Sequence, residues 1–170
     1  MITEKMQDAL NGQLNKELFS SYLYLAMAAY FEAESYAGMA RWMNLQAQEE
    51  HEHALKFYDY LIKVNARVKL TAIDEPQFEW ESPAAAFQAA YKHEQFITQS
   101  VNDLADLAMN ERDHATAAFL RWFVDEQVEE EATVSEIVDN FKMIGDSKSA
   151  LFMLDRELGQ RTNAPDTTAN

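Results

Sequence analysis

Helix breakers are so scarce in this chain that little besides long helices can be built from it. Gly and Pro number seven among 170 residues, about 4 % against an average near 12 %, which is too few turn residues for a many-stranded sandwich or barrel. They also fall where helices would end: Gly38, Pro76, Pro83, Gly145, Gly159 and Pro165, with only Gly12 inside a periodic stretch. The spacing predicts an all-α fold with long helices over about 3–34 (α1), 38–64 (α2), 83–110 (α3) and 114–144 (α4), and a short C-terminal helix over 147–158 (α5). At 1.5 Å per residue the long ones run roughly 40 to 48 Å, the dimensions of a four-helix bundle. Ser82 before Pro83, and Ser147, supply N-caps.

Antiparallel neighbours usually join through two to eight residues, whereas 65–82 between α2 and α3 is 18 residues long. Extended, it reaches about 60 Å, enough to start α3 at the far end of the bundle, the one-long-crossover topology. Residues 1–159 are expected to form one domain and 160–170 a flexible C-terminal tail.

The chain has no cysteine, which removes disulfides, thiolate metal sites and cysteine nucleophiles and agrees with a cytoplasmic location. No apolar run approaches a membrane span, and the polar start is not that of a secretory signal. With 14 Lys and Arg against 29 Asp and Glu the net charge is −15; nucleic acid and anionic membrane are excluded as expected partners, and cations are favoured.

A bundle helix presents its core through residues alternately four and three apart. The α1 stripe reads Leu10, Leu14, Glu17, Ser21, Tyr24, Ala28, Phe31, and the α2 stripe Met39, Met43, Gln46, Glu50, His53, Phe57, Tyr60, Val64. In α3 it is Phe87, Ala90, Glu94, Ile97, Val101, Leu104, Ala108, and in α4 Leu120, Phe123, Gln127, Glu130, Val134, Ile137, Phe141, Ile144. Each stripe is broken near its middle, at Glu17, at Glu50 with His53, at Glu94, and at Gln127 with Glu130. No Lys or Arg stands on any of them. One bare carboxylate in a low-dielectric core costs several kcal/mol and four cost more, so a cation must compensate. Carboxylates with one imidazole suit Fe or Mn better than Zn or Ca. Four carboxylates also carry the charge for two divalent ions with one Glu bridging, which points to a dinuclear carboxylate site.

Glu17 with Tyr24, Glu49-Glu50-His51-Glu52-His53, Glu94, and Glu126-Gln127-Val128-Glu129-Glu130 resemble the ferroxidase motifs of the non-haem bacterial ferritins, and the resemblance runs from Met1 to about Gly159. It implies a ferritin-like four-helix bundle with one long crossover and a short fifth helix, assembled as a homo-oligomer of 24 subunits. Its activity would be that of a ferroxidase, oxidising Fe(II) with O2 or H2O2 and storing ferric oxyhydroxide. It further implies one iron on Glu17, Glu50 and His53, and a second on Glu50, Glu94 and Glu130 with Gln127 beside it. A third, accessory iron position would use Glu49, Glu126, Glu129 and Glu130, and Tyr24 would serve as a redox or proton donor. Where bacterioferritin-like chains repeat Glu-x-x-His on α4, this one has Gln127-x-x-Glu130, so the second ion is expected to be held more loosely. Where they carry a haem-ligating Met, this one has His51, and no haem is expected.

Two other classes fit the same bundle. A stand-alone di-iron enzyme such as a peroxide-reducing relative of rubrerythrin would need an electron-transfer module of four cysteines, which is missing. A metal-free structural bundle leaves four core carboxylates unexplained. Among the remaining residues, His93 and His114 fall off the stripes and are expected to face solvent. Trp122 is expected to pack in the core, and Phe78 and Trp80 to pin the crossover to a neighbouring surface. The apolar face of α5 is expected to serve subunit assembly.

Overall fold

Four of the five helices begin on a side chain that accepts from the free N–H groups of the first turn. Thr3 caps α1 (Glu4–Ala33), Ser82 caps α3 (Pro83–Asn110), Asp113 caps α4 (His114–Ile144) and Ser147 caps α5 (Lys148–Leu158), at 3.0 to 3.4 Å. Only α2 (Ala37–Lys63) starts without such a bond, after Tyr36. The computed structural model describes residues 2–162, so most of the expected tail, 163–170, lies outside the described residues. None of the described helices is long and apolar enough to cross a membrane.

Three helix ends use no glycine. Ser35, Asn65 and Arg112 follow α1, α2 and α3 with φ of 65°, 56° and 58°. In each case the next residue's N–H reaches back five residues, as in Tyr36 N–H to Phe31 O at 2.9 Å, Ala66 to Leu61 at 2.9 Å and Asp113 to Ala108 at 2.8 Å. The bonds satisfy carbonyls that would otherwise be orphaned.

The apolar interior is divided in two. One cluster gathers Leu23 to Phe31 of α1, Met39 to Ala47 of α2, Ala86 to Ala90 of α3 and Val134 to Phe141 of α4. The other gathers Met6 to Leu14, Ala54 to Leu61, Ile97 to Ala108 and Leu120 to Phe123. Reading each helix from its start, α1 and α4 run from the second cluster to the first, and α2 and α3 both run from the first to the second. α2 and α3 are therefore parallel, and the 65–82 connection must return the whole length of the bundle, as expected.

Its route is set by α1. Gln7, Asn11 and Asn15, four residues apart on one face, bind the passing backbone. Gln7 Oε1 accepts from Arg67 N–H at 2.8 Å, Asn11 accepts from Lys69 N–H at 2.6 Å and donates to Arg67 O at 2.9 Å, and Asn15 donates to Ala72 O at 3.0 Å. At the far end the Trp80 ring meets Tyr30 edge-on at 5.3 Å. Trp80 thus pins the crossover to its own chain, whereas Phe78 is exposed.

α5 packs on α2. Gly38 allows it: a Cβ there would stand 1.7 Å from Asp155 O. Asp155 also accepts from Met39 N–H at 2.9 Å, supplying the cap that α2 lacks at its own N-terminus.

Candidate metal centre

The polar layer lies between the two apolar clusters, where the stripes break. Glu17, Glu50, His53, Glu94, Gln127 and Glu130 are all buried there, one or two from each long helix, and Tyr24 is fully enclosed beside them. Ligand atoms of Glu17, Glu50 and His53 lie within 4.8 Å of one another, and so do those of Glu50, Glu94 and Glu130. Glu50 belongs to both sets. A third set is His53, Glu126 and Glu130, which brings Glu126 to the edge of the layer. Glu49 and Glu129 join none of the three; Glu129 is exposed, and the Glu49 carboxylate accepts from Arg161 Nη2 at 2.5 Å.

The carboxylates of the layer are oriented by neighbours yet keep spare acceptor capacity. Gln13 donates to Glu17 Oε1 at 2.7 Å, and Gln46 to Glu130 Oε2 at 2.6 Å. Tyr24 Oη donates to Glu94 Oε1, while Gln127 Nε2 donates to Glu94 Oε2 at 3.2 Å. His53 Nδ1 stands 3.5 Å from Glu50 Oε2. Glu17 Oε2 and Glu50 Oε1 are buried with no hydrogen-bond partner among the described residues. Orphaned anionic oxygens at such depth are costly unless a cation accepts them.

The electrostatics agree. Burial raises the carboxyl of Glu50 well above its ordinary range, and the charges of Glu94 and Glu17 add to the effect. Burial likewise raises Glu130 well above that range, followed by Glu50 and Glu94. Glu94 is pushed by burial to about 7, against the hydrogen bonds from Tyr24 and Gln127. Glu17 is also raised by burial, with His53 opposing. The Tyr24 phenol is raised well above its ordinary value by burial and then by Glu94, so it stays protonated. A set of interacting acids that resist ionisation together is a site built for positive charge.

The family model for the ferritin-like domain matches residues 7–144, most of the chain. The chain belongs to the ferritin family. It is 45 % identical over 161 residues to a bacterial non-heme ferritin of Bacteroides fragilis, covering 95 % of this chain and all of the relative. To a bacterial non-heme ferritin of Staphylococcus aureus it is 38 % identical over 162 residues, covering 95 % and 98 %. Among solved structures, an open-pore ferritin from the hyperthermophilic archaeon Archaeoglobus fulgidus superposes with a TM-score of 0.94 at 48 % identity, covering 95 % of this chain and all of the other.

This ferritin also uses residues that its sequence pattern does not flag. Gln13 lies off the α1 stripe, four residues before Glu17, and Gln46 lies four before Glu50. Ser100 donates to Gln13 Oε1 at 2.6 Å and receives Lys16 Nζ at 2.5 Å, so the nearest lysine reaches Glu17 through a relay. The i, i+4 spacing of Gln13 to Glu17 was the one available signal. Two expectations need correction or refinement. His93 does not face solvent: it is half-buried, with Nε2 2.7 Å from Ser20 Oγ and its ring 5.8 Å from Phe19 and 6.5 Å from Tyr24, and burial lowers its pKa to about 4. Trp122 packs against the second apolar cluster as expected, but from its rim: it is partly buried, touches Phe123 at 4.8 Å and meets the His53 ring edge-on at 5.3 Å. His114 is exposed, as expected.

Proposed function

We propose that this ferritin is a ferroxidase that binds two Fe(II) ions as substrate between the four long helices, oxidises them with O2 or H2O2, and stores the product as ferric oxyhydroxide inside a cage of 24 subunits. The observation that carries this reading is Glu50, common to two ligand sets that each hold three donors within 4.8 Å. One ion takes Glu17, Glu50 and His53; the other takes Glu50, Glu94 and Glu130. Four carboxylates then meet four positive charges, which answers the cost of burying them. Two ferrous ions release two electrons, enough to reduce O2 to H2O2 with two protons, or H2O2 to two waters with two protons.

The surrounding residues orient the ligands. Gln13 fixes Glu17, Gln46 fixes Glu130, and Tyr24 with Gln127 fixes Glu94. Gln127 spends its amide N–H on Glu94 and contributes no charge, so the second ion has three carboxylates and no imidazole. Tyr24, protonated and one hydrogen bond from a ligand, is placed to give a proton and an electron. Glu126 stands with Glu130 and His53, and with Glu49 and Glu129 it would hold a third, accessory ion.

Light scattering and aerobic iron loading test the reading together. The parent should run as a particle of about 470 kDa, 24 times the chain mass of 19.5 kDa, and oxidise added Fe(II) rapidly. Glu50→Ala should assemble to the same size and lose fast oxidation. Oxidation by that variant at the parent rate would refute the shared-ligand assignment.

A further inference from the structure

We propose that Arg161 is a latch on the accessory position: its guanidinium holds the Glu49 carboxylate out of the ligand set, so that a third cation binds only by taking Glu49 from it. The inference rests on the dinuclear reading above and adds a residue that governs how many ions each subunit takes.

Arg161 follows α5, and its place is set by the packing of that helix on α2. Gly159 approaches Gly38 so closely that a Cβ on it would lie 2.9 Å from Gly38 Cα. The chain therefore leaves α5 alongside the first turns of α2, where Trp42, Gln46 and Glu49 follow at i, i+4 and i+7 along one face. Arg161 engages all three. Its guanidinium lies 4.6 Å over the Trp42 ring, Nη1 donates to Gln46 Oε1 at 2.7 Å, and Nη2 donates to Glu49 Oε2 at 2.5 Å. Both charged side chains are about four-fifths buried, which raises their interaction above that of a solvated pair.

Two consequences follow from these bonds. The first is that Glu49, the one member of the accessory set contributed by α2 alone, already has a positive partner. The second runs through Gln46. By donating to its Oε1, Arg161 turns the amide so that Nε2 faces Glu130 Oε2 at 2.6 Å. Glu130 is thereby held toward Glu50 and Glu94, where the second ion sits, and Arg161 acts as a positioning residue on it. When a third cation takes Glu49, the guanidinium has acids to turn to: Glu136 and Glu157 line the same surface pocket as Arg161 and Trp42. Latch opening is then an exchange of partners, with no charge left bare.

The test is calorimetric titration of Zn(II), which is redox-inert, into the assembled metal-free parent and into Arg161→Ala, Arg161→Gln and Arg161→Lys at one ionic strength. The third ion should bind about five- to tenfold more tightly in the Ala and Gln variants, because the competing ion pair and the nearby positive charge are gone. The first ion should change little, and the second, whose ligand Glu130 loses the support relayed through Gln46, should weaken by about two- to fivefold in Ala and Gln. Arg161→Lys keeps the charge on Glu49 and should stay within about twofold of the parent, whereas a merely structural role for Arg161 would lower the thermal midpoint of all three variants and leave the third ion's affinity unmoved. Unchanged or weaker third-ion binding in both Ala and Gln, with two ions still bound, overturns the latch alone. A parent that takes no ion overturns the dinuclear reading and the latch with it.

Discussion

Glu94→Gln should stabilise the metal-free protein and weaken its hold on metal, because the same charge serves opposite ends in the two states. Burial moves the Glu94 carboxyl from an ordinary 4.5 to about 7. Between those values the folded chain keeps a proton that the unfolded chain has released, so stability falls as pH rises through that window and the loss is complete above it. At 1.36 kcal/mol per pH unit this amounts to about 3 kcal/mol at pH 8. Glutamine keeps an oxygen for Tyr24 but presents N–H to Gln127, which must turn over and give up its longer bonds to Glu94 O at 3.4 Å and Thr98 Oγ1 at 3.3 Å. That repacking costs about 1 kcal/mol. The net gain of about 2 kcal/mol should raise the thermal midpoint by roughly 4 to 8 °C at pH 8. At pH 4.5, where the parent carboxyl is already neutral, the variant should be no more stable than the parent. Saturating Zn(II) should reverse the ranking at pH 8, since the variant has lost an anionic ligand. Scanning calorimetry of both proteins at the two pH values, with and without Zn(II), reads all of this. A variant no more stable than the parent at pH 8 would refute the claim that bare carboxylates strain the empty centre.

Two further outcomes follow from single contacts. His53→Ala should weaken the first Zn(II) position by at least about a hundredfold, while Gln127→Ala, which removes hydrogen bonds to Glu94 and Thr98 but no ligand, should cost the second about tenfold; equal losses in calorimetry would contradict the asymmetry. Arg112→Gly should raise stability by about 1 kcal/mol in urea unfolding, since Arg112 holds φ 58° at the exposed end of α3, a conformation that glycine adopts freely; no gain would mean that its side chain contributes contacts that offset the strain.

The breakers and stripes carried much of this in advance. Pro83, Gly145 and Gly159 bound the helices to within a residue or two, and a carboxylate interrupting each of four apolar stripes marks the level of the polar layer. The direction of α3 was not legible at the layer itself, because mid-helix residues align whichever way the helix runs; only the pairing of helix halves in the two clusters shows α2 and α3 parallel. The ends of α1, α2 and α3 carry no glycine; Asn65 is a type that tolerates the left-handed turn, but Ser35 and Arg112 gave no warning of theirs. Gln46 stands on the stripe but is neutral, and nothing in its identity says that it bridges Glu130 to Arg161. Arg161 itself falls in a polar stretch without periodicity, and its role depends on the close approach of Gly38 and Gly159, glycines 121 positions apart in the chain. His93 is off-stripe yet half-buried because Phe19 and Phe96 flank it, a lateral packing that a one-face pattern does not describe.

The central claim, that Glu50 joins two ligand sets into one dinuclear centre, is tested most directly by counting Fe(II) bound to the metal-free protein without oxygen. Anaerobic titration calorimetry should give two tightly bound ions per chain in the parent and, with the shared ligand removed in Glu50→Ala, the loss of both. One ion per chain in the parent, or two retained at parent affinity in the variant, would contradict it.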